Sequence, residues 1–245
     1  MRFKWLVLFM LAFSCNEQSG DLANTQGSGG SLSRFALSGN YLYLVTNSTL
    51  NVFDLSENNF QEISKMPLAF GLETIQVNSS FLYMGARDAM YIYSIANPSQ
   101  PEFVFRYAHI VSCDPVVVQG NRAYVTLRSG NICNLGSNSL EIIDITNPYN
   151  PSLIRQYQMT SPGGLGIFGN CLFVCEGEAG LKMLNVANDE IHLVNELKAV
   201  NAYDVIVKNG SFTLTGEDGI FQYRYDCELA SMEIISSIPV VRADF

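Results

Sequence analysis

The chain has 245 residues, of which 48% are hydrophobic and 15% are charged, and its formal net charge is −9. This length and apolar content fit a folded protein with a large core and exclude intrinsic disorder. The excess of acidic residues argues against a nucleic-acid-binding protein, because phosphate contacts require lysine and arginine on one face.

The amino-terminal residues have the pattern of an export signal. A basic start precedes the apolar run 5–13, which is shorter than the roughly 20 residues that span a bilayer. Ser14 and Cys15 follow. A small residue and a cysteine after an apolar run resemble the lipobox of bacterial lipoproteins. The resemblance implies that the signal peptide 1–14 is removed and that Cys15 is acylated; an ordinary secretory signal is the alternative.

Residues 15–31 are predicted to tether a folded domain to the membrane. After Cys15 the segment is rich in glycine, serine and asparagine and has no apolar period. Such a composition is typical of a flexible linker, with a reach of roughly 20–25 Å for this length. The sequence therefore predicts a lipid-anchored protein of the bacterial cell envelope, at the outer membrane or the cell surface.

Five repeats of about 40 residues fill the rest of the chain, residues 32–245. Each repeat has a short strand pattern such as 41–45, followed by a second one such as 50–55, and further strand candidates flank the pair. Glycine and asparagine stand where two-residue hairpin turns are needed. Four short strands in each unit predict an all-β fold, a single β-propeller with five four-stranded blades of about 40 residues.

Two turns carry a family resemblance. The segments 144–151 (DITNPYNP) and 95–101 (IANPSQP) resemble the strand-turn segment of LVIVD-repeat proteins, which are secreted or surface β-propellers of bacteria and archaea. In this turn asparagine starts the bend, and proline removes an N–H group that would extend the strand. The resemblance implies the propeller fold and brings no catalytic signature with it.

Charged residues are predicted to gather at one mouth of the propeller channel. The start of the first strand and the end of the second strand lie on the same face of every blade, so equivalent residues form a ring there. The candidates for ligand binding are three acids that open first strands, and two arginines and two glutamates that follow second strands. They are Glu73, Asp114, Asp204, Arg87, Arg128, Glu176 and Glu217.

Three interpretations of this ring stay open. The arginines suit a carboxylate or phosphate, which they bind in bidentate geometry. The acids offer the oxygen ligands that calcium prefers, so calcium is the one cofactor that the sequence suggests. Alternatively, the charges pair with each other and fix neighbouring blades together. The inserted residues 130–137 of the third repeat lie on this same face and are a further candidate for recognition.

The five cysteines of the repeats can form disulfides once the protein is exported. Cys171 and Cys175 are separated by about 13 Å along one strand, beyond the limit of about 7 Å for a disulfide. Cys113 and Cys133 belong to one blade and one face and are the predicted pair, with Cys133–Cys175 as the alternative. Cys171 and Cys227 are expected to be small core residues.

The sequence contains no motif of a hydrolase nucleophile elbow, a nucleotide-binding loop or a zinc-protease helix. Residues 161–166 (SPGGLG) are glycine-rich but enter a strand, so they are expected to let that strand pack close to the channel axis. Of the two histidines, His109 lies near the acidic face and is the one candidate base, whereas His192 is expected on an outer edge.

The sequence therefore favours a non-catalytic binding or scaffold lipoprotein of the envelope. Its expected partners are the membrane, through the lipid anchor, and an envelope protein, a glycan or a small polar ligand at the channel mouth. An envelope hydrolase or lyase that uses channel-mouth carboxylates, with or without a metal ion, is the alternative, because propellers carry both kinds of function.

Overall fold

The computed structural model describes residues 30–56, 60–68, 71–108, 115–128 and 138–240. Within these ranges the chain forms five four-stranded antiparallel sheets and no α-helix. Each sheet is one blade, built from four strands that follow one another in the chain, and the first strands of consecutive blades lie side by side. The prediction of an all-β propeller with five blades is confirmed. No helix of this part of the chain is long and apolar enough to cross a membrane.

The strands are numbered in chain order. Blade 1 contains β1 (Phe35–Ser38), β2 (Tyr41–Val45), β3 (Thr49–Asp54) and β4 (Gln61–Pro67). Blade 2 contains β5 (Leu72–Asn78), β6 (Phe81–Ala86), β7 (Ala89–Ser94) and β8 (Glu102–Ala108). Blade 3 contains β9 (Val116–Gln119), β10 (Arg122–Leu127), β11 (Ser139–Asp144) and β12 (Ser152–Gln158). Blade 4 contains β13 (Leu165–Phe168), β14 (Cys171–Cys175), β15 (Leu181–Asn185) and β16 (His192–Leu197). Blade 5 contains β17 (Ala202–Lys208), β18 (Ser211–Gly216), β19 (Gly219–Asp226) and β20 (Ser231–Pro239).

Every blade has the same irregularity between its third and fourth strands. The register shifts at Val52/Phe53, Ile92/Tyr93, Ile142/Ile143, Met183/Leu184 and Gln222/Tyr223. A β-bulge of this kind bends a strand and increases its twist. The five units therefore repeat in backbone geometry as well as in sequence.

The hydrophobic core lies between the blades. Four clusters of buried side chains fill the spaces between blades 1 and 2, 2 and 3, 3 and 4, and 4 and 5. An aromatic residue at the centre of each second strand is buried in blades 1 to 4, and these residues are Tyr43, Tyr83, Tyr124 and Phe173. Blade 5 has Thr213 at this position. Among the described residues, no such cluster joins blade 5 to blade 1.

The channel between the first strands is nearly filled. Its cavity has a volume of about 60 Å³ and is bounded mainly by aliphatic side chains of blades 2 to 5, among them Val117, Leu165 and Val205. A space of this size holds a few water molecules at most. A ligand of any size must therefore bind at an end of the channel.

Residues 30–33 join the amino-terminal end of the described chain to three blades. Ser31 is 1% exposed; its Oγ donates to Asp204 Oδ1 at 3.0 Å and accepts from the N–H of Leu165 at 2.8 Å. A backbone carbonyl of the same segment accepts from the N–H of Ile75 at 2.9 Å. The last residues that the sequence assigns to the tether thus already contact the folded ring.

Candidate binding site at the channel mouth

A cavity of about 760 Å³ opens at the channel mouth between blades 3, 4 and 5. It lies on the face where first strands begin and second strands end. Three chain segments supply most of its wall, within residues 160–164, 176–179 and 201–203, and Leu32 and Arg128 complete it. The volume falls within the range of small-molecule sites, and the wall combines polar and apolar surface.

The glycine-rich segment 161–166 brings blade 4 against blade 5. The N–H of Gly164 donates to the carbonyl of Tyr203 at 3.1 Å, and a Cβ on Gly164 would lie 2.6 Å from that same oxygen. A Cβ on Gly166 would lie 2.6 Å from Cγ2 of Val207. As predicted, the segment allows its strand to pack closely at the axis, and one wall of the cavity depends on this contact.

Glu176 is buried in the wall and has an ion-pair partner. Its side chain is 0% exposed, Oε1 accepts from the N–H of Thr160 at 2.6 Å, and Oε2 lies 2.5 Å from Nζ of Lys182. A buried carboxylate requires such partners because removal from water is costly. Sequence reasoning missed Lys182. The signal for it was a single charged residue within the otherwise apolar strand β15.

The carboxylate of Asp204 is also hydrogen-bonded within the protein, to the amino-terminal segment. Its Oδ1 accepts a hydrogen bond from the hydroxyl of Ser31 at 3.0 Å, and the backbone N–H groups of Ser31, Leu32 and Val205 also favour its charged form. Burial raises the pKa of the Asp204 carboxyl, and these hydrogen bonds act in the opposite direction. Asp204 therefore holds the start of the ring in place and does not face the cavity as an open ligand group.

Other members of the predicted ring pair within their own blades. Arg87 Nε lies 3.5 Å from Glu73 Oε1 in blade 2. Glu217 Oε2 accepts from Asn201 Nδ2 at 2.8 Å in blade 5. The structure therefore separates the two arginines, because Arg128 lines the cavity whereas Arg87 is not part of its wall.

Several residues singled out from the sequence lie outside the described residues. They are Cys15, His109, Cys113, Asp114, Cys133 and the insertion 130–137. His192 begins β16, the outer strand of blade 4, where it lies 3.5 Å from Glu190.

The cysteines differ from the sequence-based expectation. Cys171 and Cys227 are not separate core residues but form a disulfide, with their Cα atoms 6.0 Å apart. It links β14 to the turn after β19, a proximity between blades that strand spacing within one repeat does not reveal. Cys175 is a buried free thiol, so the alternative pairing with Cys133 is not formed. Burial raises the pKa of the Cys175 thiol well above its ordinary value.

Metal ligands do not converge in the described ranges. No group of three or more histidine, cysteine, aspartate or glutamate side chains there is placed to hold a metal ion. The reason lies in the pairing above, since Glu176 and Asp204 accept from protein donors.

Five radial sheets around a filled channel, with a cavity at one mouth, define the class of the protein as a β-propeller. The family model for the LVIVD repeat matches residues 29–59, 73–109 and 112–159. These residues of the chain are LVIVD repeats, as the two Asn-Pro turns suggested, and the chain folds as a β-propeller.

Solved propeller structures share the fold at low sequence identity. A functionally unknown protein from Desulfotomaculum acetoxidans is 11% identical with a TM-score of 0.72, covering 84% of this chain and 69% of that one. The periplasmic gluconolactonase PpgL of Pseudomonas aeruginosa is 14% identical with a TM-score of 0.63, covering 82% and 68%. The computationally designed protein Ika8 is 13% identical with a TM-score of 0.62, and 83% of this chain matches only 60% of its length.

At these identities the likeness shows the fold alone. Among curated proteins, no sequence matches the chain significantly.

Proposed function

We propose that this protein is a lipid-anchored binding protein of the bacterial envelope that recognises a polar ligand in the channel-mouth cavity. The observation that carries the proposal is the cavity itself. It has about 760 Å³ and a wall of mixed polar and apolar surface, whereas the channel behind it is filled. Concave sites of this size with a few placed polar groups are the usual form of a small-molecule site.

Binding is favoured over catalysis by the state of the carboxylates. Glu176 and Asp204 are held by donors, and Glu73 is paired with an arginine. In the described wall, Glu178 is the carboxylate exposed to the cavity, whereas glycoside hydrolysis commonly requires two carboxyl groups facing the substrate.

The envelope location rests on the amino-terminal sequence. A lipid-modified Cys15 attaches the protein to a membrane, so the full chain is expected in the membrane fraction and a Cys15→Ser variant in the soluble fraction. Fractionation of cells that express each form tests this. A Cys15→Ser protein that stays with the membrane would contradict the anchor.

Thermal unfolding with three classes of probe tests recognition. The full chain in detergent is heated with citrate, with inorganic phosphate and with neutral sugars such as maltose. A ligand that binds only the folded state raises the melting temperature. We expect at least one class of probe to raise the melting temperature. We expect the Arg128→Ala variant to require at least a tenfold higher concentration of that ligand for the same rise.

Arg87→Ala is the matched control, because Arg87 lies at the same face but outside the cavity wall, beside Glu73. Its effect on binding should be small. If Arg128→Ala prevents folding, Arg128 serves blade packing. If no class of probe changes the melting temperature, recognition at this cavity is wrong.

A further inference from the structure

We infer that the ligand of the channel-mouth cavity is a neutral saccharide, bound against the ring of Tyr203. This inference rests on the proposed function and names the ligand class for the same site. It draws on three features of the cavity: an exposed tyrosine on a fixed backbone, exposed side chains of both charge signs, and a group of polar atoms that make no hydrogen bond within the described chain.

Tyr203 lines the cavity at a point where the backbone is irregular. The register of β17 on β18 shifts between Ala202 and Asp204, so Tyr203 is the extra residue of a bulge. Bulges next to binding sites re-aim a side chain. Tyr203 is 48% exposed, whereas Ala202 and Val205 of the same first strand are buried.

The backbone around Tyr203 is fixed on both sides. Its carbonyl accepts from the N–H of Gly164 at 3.1 Å. The preceding residue, Ala202, exchanges two hydrogen bonds with Gly177, at 2.9 and 3.1 Å. On this fixed backbone, the exposed Tyr203 offers an apolar ring with a polar tip at the cavity. Such a ring fits the C–H face of a pyranose, whose hydroxyl groups point to the rim.

The described wall carries exposed side chains of both charge signs. Arg128 and Glu178 are its exposed charged residues, and the buried Glu176 is paired with Lys182. A wall of mixed sign is not the uniformly positive surface that would attract a phosphate or a carboxylate. The protein as a whole, with a net charge of −9, also repels anions.

Polar atoms around the ring lack partners within the described chain. The hydroxyls of Thr160, Ser161 and Tyr203 and the carboxylate of Glu178 make no hydrogen bond there, although all four residues line the cavity. Hydroxyl groups donate and accept, and a carboxylate accepts. A ligand with many hydroxyl groups satisfies such a mixed set, and a site built for hydroxyl groups discriminates strongly against ligands that lack them.

Calorimetric titration of the full chain with glucose, N-acetylglucosamine, maltose and cellobiose tests the inference. We expect at least one of them to bind, and Tyr203→Ala to weaken its affinity at least tenfold. Tyr203→Phe keeps the ring and should retain most of the affinity. Tyr149→Ala is the matched control, because Tyr149 is 62% exposed in an Asn-Pro turn and is not part of the cavity wall.

The outcomes separate the two proposals. If citrate or phosphate binds and none of the sugars does, the saccharide inference is wrong while recognition at the cavity stands. If nothing binds, both are wrong. If a sugar binds with the same affinity to wild type and to Tyr203→Ala, the sugar site lies elsewhere and the inference is overturned. If Tyr203→Ala does not fold, Tyr203→Leu provides the test, because leucine is apolar but has no ring: an affinity equal to that of wild type in this variant also overturns the inference.

Discussion

Glu141 is a buried carboxyl group with an incomplete set of partners. It lies in β11 with 6% of its surface exposed, on the side that faces blade 2. Oε1 lies 3.4 Å from Nε2 of Gln156, and Oε2 has no hydrogen-bond partner in the described chain. Burial raises the pKa of the Glu141 carboxyl above its ordinary value. Folding therefore shifts the Glu141 carboxyl towards its protonated form relative to the unfolded chain.

This arrangement predicts a dependence of stability on pH. The contribution of a carboxyl with a raised folded-state pKa is fully present below the unfolded-state pKa and is lost as the pH rises through the folded-state pKa. We expect the free energy of unfolding to fall as the pH rises above about 4.5, and Glu141→Gln to be more stable than wild type at pH 7.5 by about 1–3 kcal/mol.

Urea unfolding of both proteins at pH 4.5 and pH 7.5 measures this effect. Burial raises the pKa of Asp204 in the same direction, so only the difference between variant and wild type isolates Glu141. Glu62→Gln in the exposed strand β4 is the control for the loss of one negative charge. If the free energy of unfolding has the same pH dependence in wild type and in Glu141→Gln, ionisation of Glu141 does not destabilise the folded protein.

At the scale of the elements, the contact between β13 and β17 depends on Gly164, because a larger side chain there would clash with the neighbouring blade. A Cβ on Gly164 would meet the carbonyl of Tyr203 at 2.6 Å and the side chain of Asp204, whereas a Cβ on Gly163 would have its nearest neighbour, the carbonyl of Cys175, at 3.6 Å. The second distance is ordinary van der Waals contact. Gly163 and Gly164 therefore differ in whether they tolerate replacement by a larger residue.

We expect Gly164→Ala to lower the free energy of unfolding by about 1–3 kcal/mol through overpacking. Gly163→Ala should change it by less than about 1 kcal/mol, since the added methyl group has room. Urea titration of both variants provides the comparison. Equal losses would mean that close approach of the strands is not the source of the effect.

The strands were predictable where their signals are local. A short apolar run and a turn before it define β2 (Tyr41–Val45) and β14 (Cys171–Cys175), and the structure gives both with the predicted bounds. The family resemblance rested on Asn-Pro turns, which depend on neighbours in sequence only. Such features need no knowledge of the packing between blades.

Features of the site that depend on contacts between elements were not predictable in this way. Lys182 gains its role from Glu176 on the adjacent strand, and Tyr203 is turned outward by a bulge that forms beside Gly164. The sequence placed Arg87 and Arg128 at equivalent positions, but only the packing of blades decides that one of them lines a cavity. The spacing of residues along the chain reveals none of these contacts between elements.

At the scale of the whole molecule, blade 5 differs from the others in the face that it turns away from blade 4. The equivalent residues of the other blades are large and apolar, whereas blade 5 has Thr213 and Gln222. A polar outer face is the usual property of a terminal repeat. Packing against blade 4 and the Cys171–Cys227 disulfide therefore hold this blade on the ring.

Removal of this disulfide is expected to lower the stability of the protein and to loosen blade 5 first. The bond closes a separation of 56 residues, and native disulfides contribute about 2–4 kcal/mol. We expect a Cys171→Ser, Cys227→Ser variant to melt at a lower temperature and to show faster amide hydrogen exchange in β17–β20 than in β5–β8.

Peptide mapping of the unreduced wild-type protein is the control, because it must show the two cysteines linked. Free thiols at both positions in the wild-type protein would show that the disulfide does not form. Unchanged amide hydrogen exchange of blade 5 in the variant would show that the disulfide does not stabilise this blade.

The attachment of residues 30–33 has a mechanical consequence. A pull on the chain ahead of Gly30 acts first on Ser31, which is bonded to Asp204 and Leu165, and through the same segment on Ile75. These partners belong to the first strands of blades 5, 4 and 2. Several hydrogen bonds near the axis therefore carry the force together. The hydrogen bonds of β1 are then not broken one after another.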